Sequence, residues 1–197
     1  MKAVLAHIVG FAGSAWESLS FHRATKQVKE TQEQVLIKIL RDNAGTAYGR
    51  QYGFDGITSS EAYQGRVPLV EYPSMQPYIE RISAGEEDVL FLGAPLCMQP
   101  TSGTTSAAKL IPFTAGLRIQ YQRAVSAWTF DMQSYMPALL RGKAYWSLSP
   151  MVSESTLTPG GILIGFRDDT EYLTPAMGAL TRDTFAVPGE LGLVQDT

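Results

Sequence analysis

Hydrophobic and polar positions along this chain change period from one segment to the next, and each period predicts an element. Over 25–41, Val28, Val35, Leu36, Ile39 and Leu40 recur at helical spacing, while Lys26, Lys29, Glu30, Glu33 and Lys38 fall mostly elsewhere. The spacing predicts an amphipathic helix that ends near Asn43 and Gly45. Before it, Val4, Leu5, Ile8, Val9, Ala12, Trp16 and Leu19 lie close to the same period, so the chain opens on an amphipathic helix. Lys2 followed by AVLAHIVGFAGSAW also has the outline of a secretion signal, but His7 interrupts its apolar run, and the helix is the better reading.

Tyr48 to Phe54 reads as a glycine-punctuated connection, and Thr58 with Glu61 has the spacing of a capping box at the start of a short helix. Val67, Leu69 and Val70 bracket Pro68 and extend the chain. Pro73 then suits a first helical turn, and Met75, Tyr78, Ile79 and Ile82 give an i, i+3, i+4, i+7 stripe for a helix over 73–84, closed by Gly85. Continuous apolar runs follow at 89–93 and 96–99, predicting two strands. Leu117, Tyr121, Val125 and Trp128 set a later helix with a core-facing stripe. AYWSLS (144–149) and GILIGF (161–166) read as strands, PMVSESTLTPGG between them as a loop that could close over a ligand, and 175–185 as a short helix. The fold class predicted is α/β, with amphipathic helices packed on a mixed sheet.

Composition narrows the function. With 45% hydrophobic and 18% charged residues among 197, the chain is globular rather than disordered. A net charge of −3 and the lack of any basic run argue against nucleic acid as a partner. No apolar run is long enough to cross a bilayer, so no membrane partner is expected. The single cysteine, Cys97, allows no internal disulfide and fits a reducing, cytoplasmic setting; its apolar surroundings predict a buried thiol. His7 and His22 have no cysteine or carboxylate at metal-ligand spacing, so no metal site is expected from them.

One stretch carries chemistry. TSGTTSAAK, Thr101 to Lys109, holds five hydroxyls, one glycine, no apolar side chain larger than alanine, and a terminal lysine. Gly103 lets the backbone turn so that successive N–H groups converge. Thr101, Ser102, Thr104, Thr105 and Ser106 add short hydroxyl donors, and Lys109 adds a compact positive charge. Phosphate oxygens are what such a set holds, although clusters of Ser, Thr and Gly are often plain solvated turns, and composition alone leaves both readings open. A Walker A loop is excluded, because no glycine precedes Lys109 and Leu110 follows it. Arg118 and Arg123, with Tyr121 between them, could meet a carboxylate substrate through a guanidinium fork, or simply line a solvated helix face.

With LIP at Leu110 to Pro112 behind it, this stretch resembles the phosphate-binding signature of the adenylate-forming superfamily, roughly [ST]-[ST]-G-[ST]-[ST]-G-x-[PA]-K. Ser106 stands where that pattern has its second glycine. Two further blocks, Ile39 to Phe54 and Arg66 to Phe91, resemble the auxin-responsive-promoter family of acyl-acid amido synthetases, and the three occur in the same order and spacing. The resemblance implies a ligase that uses ATP and Mg2+ to adenylate a small carboxylic acid and then passes the acyl group to an amino acid amine. It also implies that 1–197 is an incomplete N-terminal portion of the large domain. The family's aromatic–glycine–acidic adenine motif, acidic ribose contact, hinge and small C-terminal domain have no counterpart here; TEYL (170–173) lacks the glycine. The chain is therefore expected to need the C-terminal remainder of the enzyme as its partner and to be inactive in isolation. The alternative is a non-catalytic remnant that binds a nucleotide or an acid, or serves as an interaction module.

Overall fold

The computed structural model describes residues 2–101, 109–145, 156–166, 169–182 and 184–186. Seven α-helices and one two-stranded sheet are found among them: α1 (Lys2–Ala24), α2 (Val28–Asp42), α3 (Ala47–Tyr52), α4 (Ser60–Arg66), α5 (Tyr72–Ser83), β1 (Cys97–Pro100), β2 (Leu110–Phe113), α6 (Ala115–Tyr135) and α7 (Pro175–Arg182). Short 3-10 turns occupy Phe54–Gly56, Pro137–Arg141 and Asp169–Tyr172. The chain divides into two compact units, one of Lys26–Pro112 with Leu157–Ile164, the other of Met1–Thr25, Phe113–Thr156 and Gly165–Thr197.

The first of these, the loop-bearing unit, is built on large apolar side chains. Leu40, Phe54, Ile57 and Val67 form one buried cluster, against which Leu36, Ile37 and Tyr48 pack. Ile79, Ile82, Val89 and Met98 form a second. The predicted helix over 25–41 is α2, stopped at Asn43, whose side-chain amide donates to the Ile39 carbonyl at 2.8 Å. The predicted helix over 73–84 is α5, with Pro73 in its first turn.

Three local expectations change in this unit. Tyr48 to Phe54 is not a connection but mostly α3, capped by Thr46, whose hydroxyl accepts the Gly49 N–H at 2.9 Å. Gly49 hides the helix from a sequence reading, since glycine argues against one. Here it is required, because a Cβ would run into the Asn43 carbonyl oxygen. The cap of α4 is Ser59 rather than Thr58, accepting from the Ala62 N–H at 3.1 Å. The run 89–93 forms no strand. The Asp88 and Val89 carbonyls instead accept the Ala47 and Tyr48 N–H groups at 2.7 and 3.0 Å, which gives the first turn of α3 the acceptors it lacks internally. Asp88 takes φ 57° and its carboxylate accepts the Gly93 N–H at 2.6 Å, which holds the segment irregular although Val89 is buried.

The predicted strand 96–99 is β1, shifted by one residue, and it pairs antiparallel with β2. GILIGF contributes isolated bridges rather than a strand: Ile164 lies parallel to Met98, and the Met98 N–H donates to the Leu163 carbonyl at 2.8 Å. Of AYWSLS only Ala144 and Tyr145 lie within the described residues, and Ala144 makes a single parallel bridge to Phe185. The loop from Pro150 to Gly161 lies outside them up to Ser155.

In the helical unit, α1 packs along α6, joined by α7 and the two 3-10 turns at 137–141 and 169–172. The buried face of α1 is small and polar, with Ala6, Ser14 and Ser18 inside. The apolar stripe expected to face a core points outward instead, with Leu5 63% and Trp16 65% exposed and Ile8, Val9 and Leu19 alongside. Small residues let two helix backbones approach closely, and Phe11 of α1 stacks on Phe130 of α6 with ring centres 4.5 Å apart. On α6 the predicted stripe also splits: Leu117 and Trp128 are exposed, Tyr121 and Val125 half-buried, and the buried positions are Ser126, Ala127 and Gln133. Among the described residues no helix is long and apolar enough to cross a membrane.

Candidate functional site

The loop read from sequence is held at both ends. β1 leads into Thr101, and the Thr101 N–H donates to the Lys109 carbonyl at 2.9 Å, closing the base before β2 begins at Leu110. Ser102, Gly103, Thr104, Thr105 and Ser106 lie outside the described residues. The order of elements is strand, loop, strand and only then helix, because Leu110–Phe113 pairs back onto β1 and α6 starts at Ala115 under the cap of Thr114. A loop pinned between paired strands keeps its two ends together whatever its tip does, which is the mechanical requirement for returning a lysine to the place where the hydroxyls begin.

Lys109 is exposed, with its ammonium 5.1 Å from the centre of the Tyr72 ring. The ring's negative face attracts the cation and limits where it can swing. Tyr72 is fixed in turn, since its hydroxyl accepts the Leu110 N–H at 3.1 Å and lies 3.4 Å from the Leu110 carbonyl. Tyr72 is therefore the residue of this site that sequence reasoning missed. Its signal was weak: an aromatic at the first position of α5, thirty-seven residues before the lysine that it supports. On β1, Gln99 Oε1 is buried with no hydrogen-bond partner among the described residues.

The three α6 residues proposed to meet a carboxylate have different fates in the helical unit. Arg123 donates from Nε to Glu17 of α1 at 2.8 Å and so is already paired. Arg118 is half-buried, and its Nε is buried with no hydrogen bond among the described residues. Tyr121 tilts against Tyr172, with ring centres 5.5 Å apart, and lines a cavity of about 180 Å³ inside the unit. Beyond that ring, Tyr172 packs on Phe166 and Phe113 at 4.2 and 5.7 Å. Asp131 of α6 accepts from Ser18 Oγ at 2.6 Å and lies 3.1 Å from His22, and these contacts hold its carboxyl below the usual aspartate range. Among the described residues no three His, Cys, Asp or Glu side chains gather as metal ligands.

The sequence matches the GH3 family N-terminal domain over residues 18–196. The chain belongs to the GH3 family. The relatives agree with that assignment and with the resemblance of the three sequence blocks. The chain is 38% identical over 140 residues to an indole-3-acetic acid-amido synthetase, GH3.8, of Oryza sativa subsp. indica, covering 70% of this chain and 23% of that protein. Over 154 residues it is 36% identical to a jasmonoyl–L-amino acid synthetase, JAR6, of Nicotiana attenuata, covering 77% and 26%. Among solved structures, a GH3.15 acyl acid amido synthetase superposes with a TM-score of 0.70 at 25% identity, covering 93% of this chain and 32% of that one. The chain thus spans about a quarter of the length of the curated relatives it matches. The α/β expectation stands in a helix-rich form with a small antiparallel sheet, the form of the GH3 N-terminal domain.

Proposed function

We propose that this chain supplies the phosphate-gripping part of an acyl-acid amido synthetase. The observation that carries the reading is Lys109, returned by the Thr101–Lys109 backbone bond to the mouth of a hydroxyl-rich loop and steadied over Tyr72. In that reading ATP and a small carboxylic acid are co-substrates. A carboxylate oxygen attacks the α-phosphorus, the bond to the β-phosphate oxygen breaks, and pyrophosphate leaves. The amine of an amino acid then attacks the acyl carbon, loses a proton, and displaces AMP to leave an amide. Lys109 neutralises charge on the outer phosphates and holds the leaving group in line, which is where positioning and electrostatics contribute most. Magnesium would arrive on the nucleotide phosphates and add further charge neutralisation there.

Of the two arginines, Arg118 has no ion pair among the described residues, whereas Arg123 would first have to release Glu17 to meet an acid's carboxylate. The reaction needs adenine and ribose contacts of the kind that a chain of the relatives' length provides, so this reading assigns 1–197 to an incomplete large domain working with that remainder, in the cytoplasm.

The test is calorimetric titration with ATP and with AMP, in a chain that includes the remaining portion. Lys109→Ala should weaken ATP binding roughly tenfold to a hundredfold, as expected for a charge-assisted contact, and AMP binding less. Thr104→Ala, removing a neutral donor, should have a smaller effect. Equal losses for ATP and AMP would move Lys109 elsewhere in the site, and no loss for either would return the loop to a plain turn. Acid-dependent pyrophosphate exchange by residues 1–197 alone would show that the remainder is not required. Nucleotide binding without exchange in the longer chain would favour the non-catalytic alternative.

A further inference from the structure

The peptide that joins Lys109 to Leu110 is held on both sides. Its carbonyl accepts the Thr101 N–H at 2.9 Å, and its N–H donates to the Tyr72 hydroxyl at 3.1 Å. The same tyrosine meets the lysine again at its far end, where the ammonium lies 5.1 Å from the centre of the ring. Tyr72 is half-buried and opens α5, immediately before Pro73. Further along, α5 buries Ile79 and Ile82 in the cluster that takes Met98 of β1 and against which Leu110 of β2 packs. One aromatic side chain therefore ties the loop's exit peptide and its single cation to the core that carries both strands. Among the described residues no carboxylate pairs with Lys109, and the ring is what its ammonium faces.

We infer that Tyr72 is a positioning residue for Lys109. Its hydroxyl sets the peptide from which the lysine departs, and its ring keeps the ammonium at the mouth of the loop. The inference rests on the phosphate-gripping reading of Lys109 and adds the group that aims the lysine. Lysine carries its charge on a flexible four-carbon stem, so an unconfined ammonium must be ordered when a phosphate arrives. A tyrosine face confines the cation by attraction to the ring quadrupole. Unlike a carboxylate it does not neutralise the cation, so the whole charge remains for the outer phosphates of a nucleotide.

Titration with ATP and with AMP, in a chain that includes the remaining portion, reads the aiming as a coupling between two residues. Tyr72→Leu should weaken ATP binding roughly threefold to tenfold and leave AMP binding within about twofold. In a Lys109→Ala background the same substitution should weaken ATP binding no further. Tyr72→Phe, which keeps the ring and gives up the hydroxyl bond, should fall between wild type and Tyr72→Leu. A second measurement needs no nucleotide. In the 197-residue chain, proton NMR should find the Lys109 ε-methylene upfield of those of the other lysines, shielded by the ring over which the ammonium lies. The shift should persist in Tyr72→Phe and vanish in Tyr72→Leu, and the wild-type shift can be read even if Tyr72→Leu does not fold. Lys109→Ala with unchanged ATP affinity would remove the phosphate reading and this inference with it. If Lys109→Ala does weaken ATP binding, three results would overturn the aiming role alone: equal effects of Tyr72→Leu with and without the lysine, equal losses for ATP and AMP, or no upfield shift.

Discussion

The two units of this chain bury a different balance of residues, although each holds some of the other's kind: Phe113 and Phe166 are buried in the helical unit, and Thr46 and Thr158 in the loop-bearing one. In the loop-bearing unit the interior is Leu40, Phe54, Ile57, Val67, Ile79, Ile82, Val89 and Met98, with Ile82 only 1% exposed. In the helical unit the buried residues of α1 and α6 are Ala6, Ser14, Ser18, Ser126, Ala127 and Gln133, Phe11 stacks on Phe130 between the two helices, and Leu5, Trp16 and Trp128 stay outside while a cavity remains within. Large side chains filling space give strong, local, position-specific stability. Small and polar side chains give close helix approach but leave voids and unpaired groups. The first arrangement suits a platform that must hold a loop's ends fixed, and the second leaves a cavity of about 180 Å³ inside the unit.

The contrast makes ranked predictions. Ile82→Ala should cost about 2–5 kcal/mol, by lost burial plus an unfilled cavity, measured by chemical denaturation followed in the far ultraviolet. Val125→Ala, half-buried beside an existing cavity, should cost only about 1 kcal/mol, and equal losses at the two positions would remove the distinction drawn between the units. Gly49→Ala comes next, at about 1–3 kcal/mol. Its added Cβ meets the fixed Asn43 carbonyl oxygen rather than a flexible side chain, and an unchanged midpoint would show that the turn before α3 can relax.

Gln133→Met should be neutral or should stabilise by up to about 1 kcal/mol, since it removes a buried amide oxygen that has no partner among the described residues, at nearly constant volume. Among the described residues the tryptophans are Trp16 and Trp128, both in the helical unit, so tryptophan fluorescence is the probe for this unit. A loss above that size would mean that the amide has a structural partner.

The smallest effect concerns acid. Asp131 is held below the ordinary aspartate range by the Ser18 hydroxyl and then by His22. A carboxyl whose folded value is lowered stabilises the fold above its ordinary value, about 3.9. That contribution is lost as pH falls through the folded value, because the unfolded chain takes up the proton first. The fluorescence-detected midpoint should therefore decline below about pH 4, and Asp131→Asn should flatten the decline. Glu86, held low by the side chain of Arg81 in the loop-bearing unit, provides the control. Glu86→Gln should leave the fluorescence-detected acid profile unchanged, and a shift there would mean that the units do not respond separately.

Much of the loop-bearing unit was legible in the sequence. α2 and α5 have clear helical periods and punctuation, and the helices form where those signals lie. Legibility failed where a non-local partner replaced a local one. Val89 to Gly93 has the composition of a strand, yet the carbonyls at its start serve as caps for α3, a use visible only once Asp88 and Ala47 are adjacent. Gly49 concealed α3 for a similar reason: its value lies in a carbonyl six residues back. At the site, the sequence marked Thr101 to Lys109 as a unit by composition, but not Tyr72, whose role rests on a ring and a hydroxyl brought to Lys109 and Leu110 by the fold.

By itself the sequence determined the family, the helices with strong 3.6-residue periods and the loop whose hydroxyls and lysine suit phosphate, because each of these is written in residues close along the chain. Tertiary structure decided which face of α1 is inside. A period shows that a helix has two faces, but the choice between a stripe of large apolar residues and a stripe of small ones depends on how closely α6 can approach. It also decided that Arg123 is taken by Glu17 while the Arg118 Nε has no hydrogen bond among the described residues, since ion pairing depends on distances across 106 residues of chain that no local pattern records.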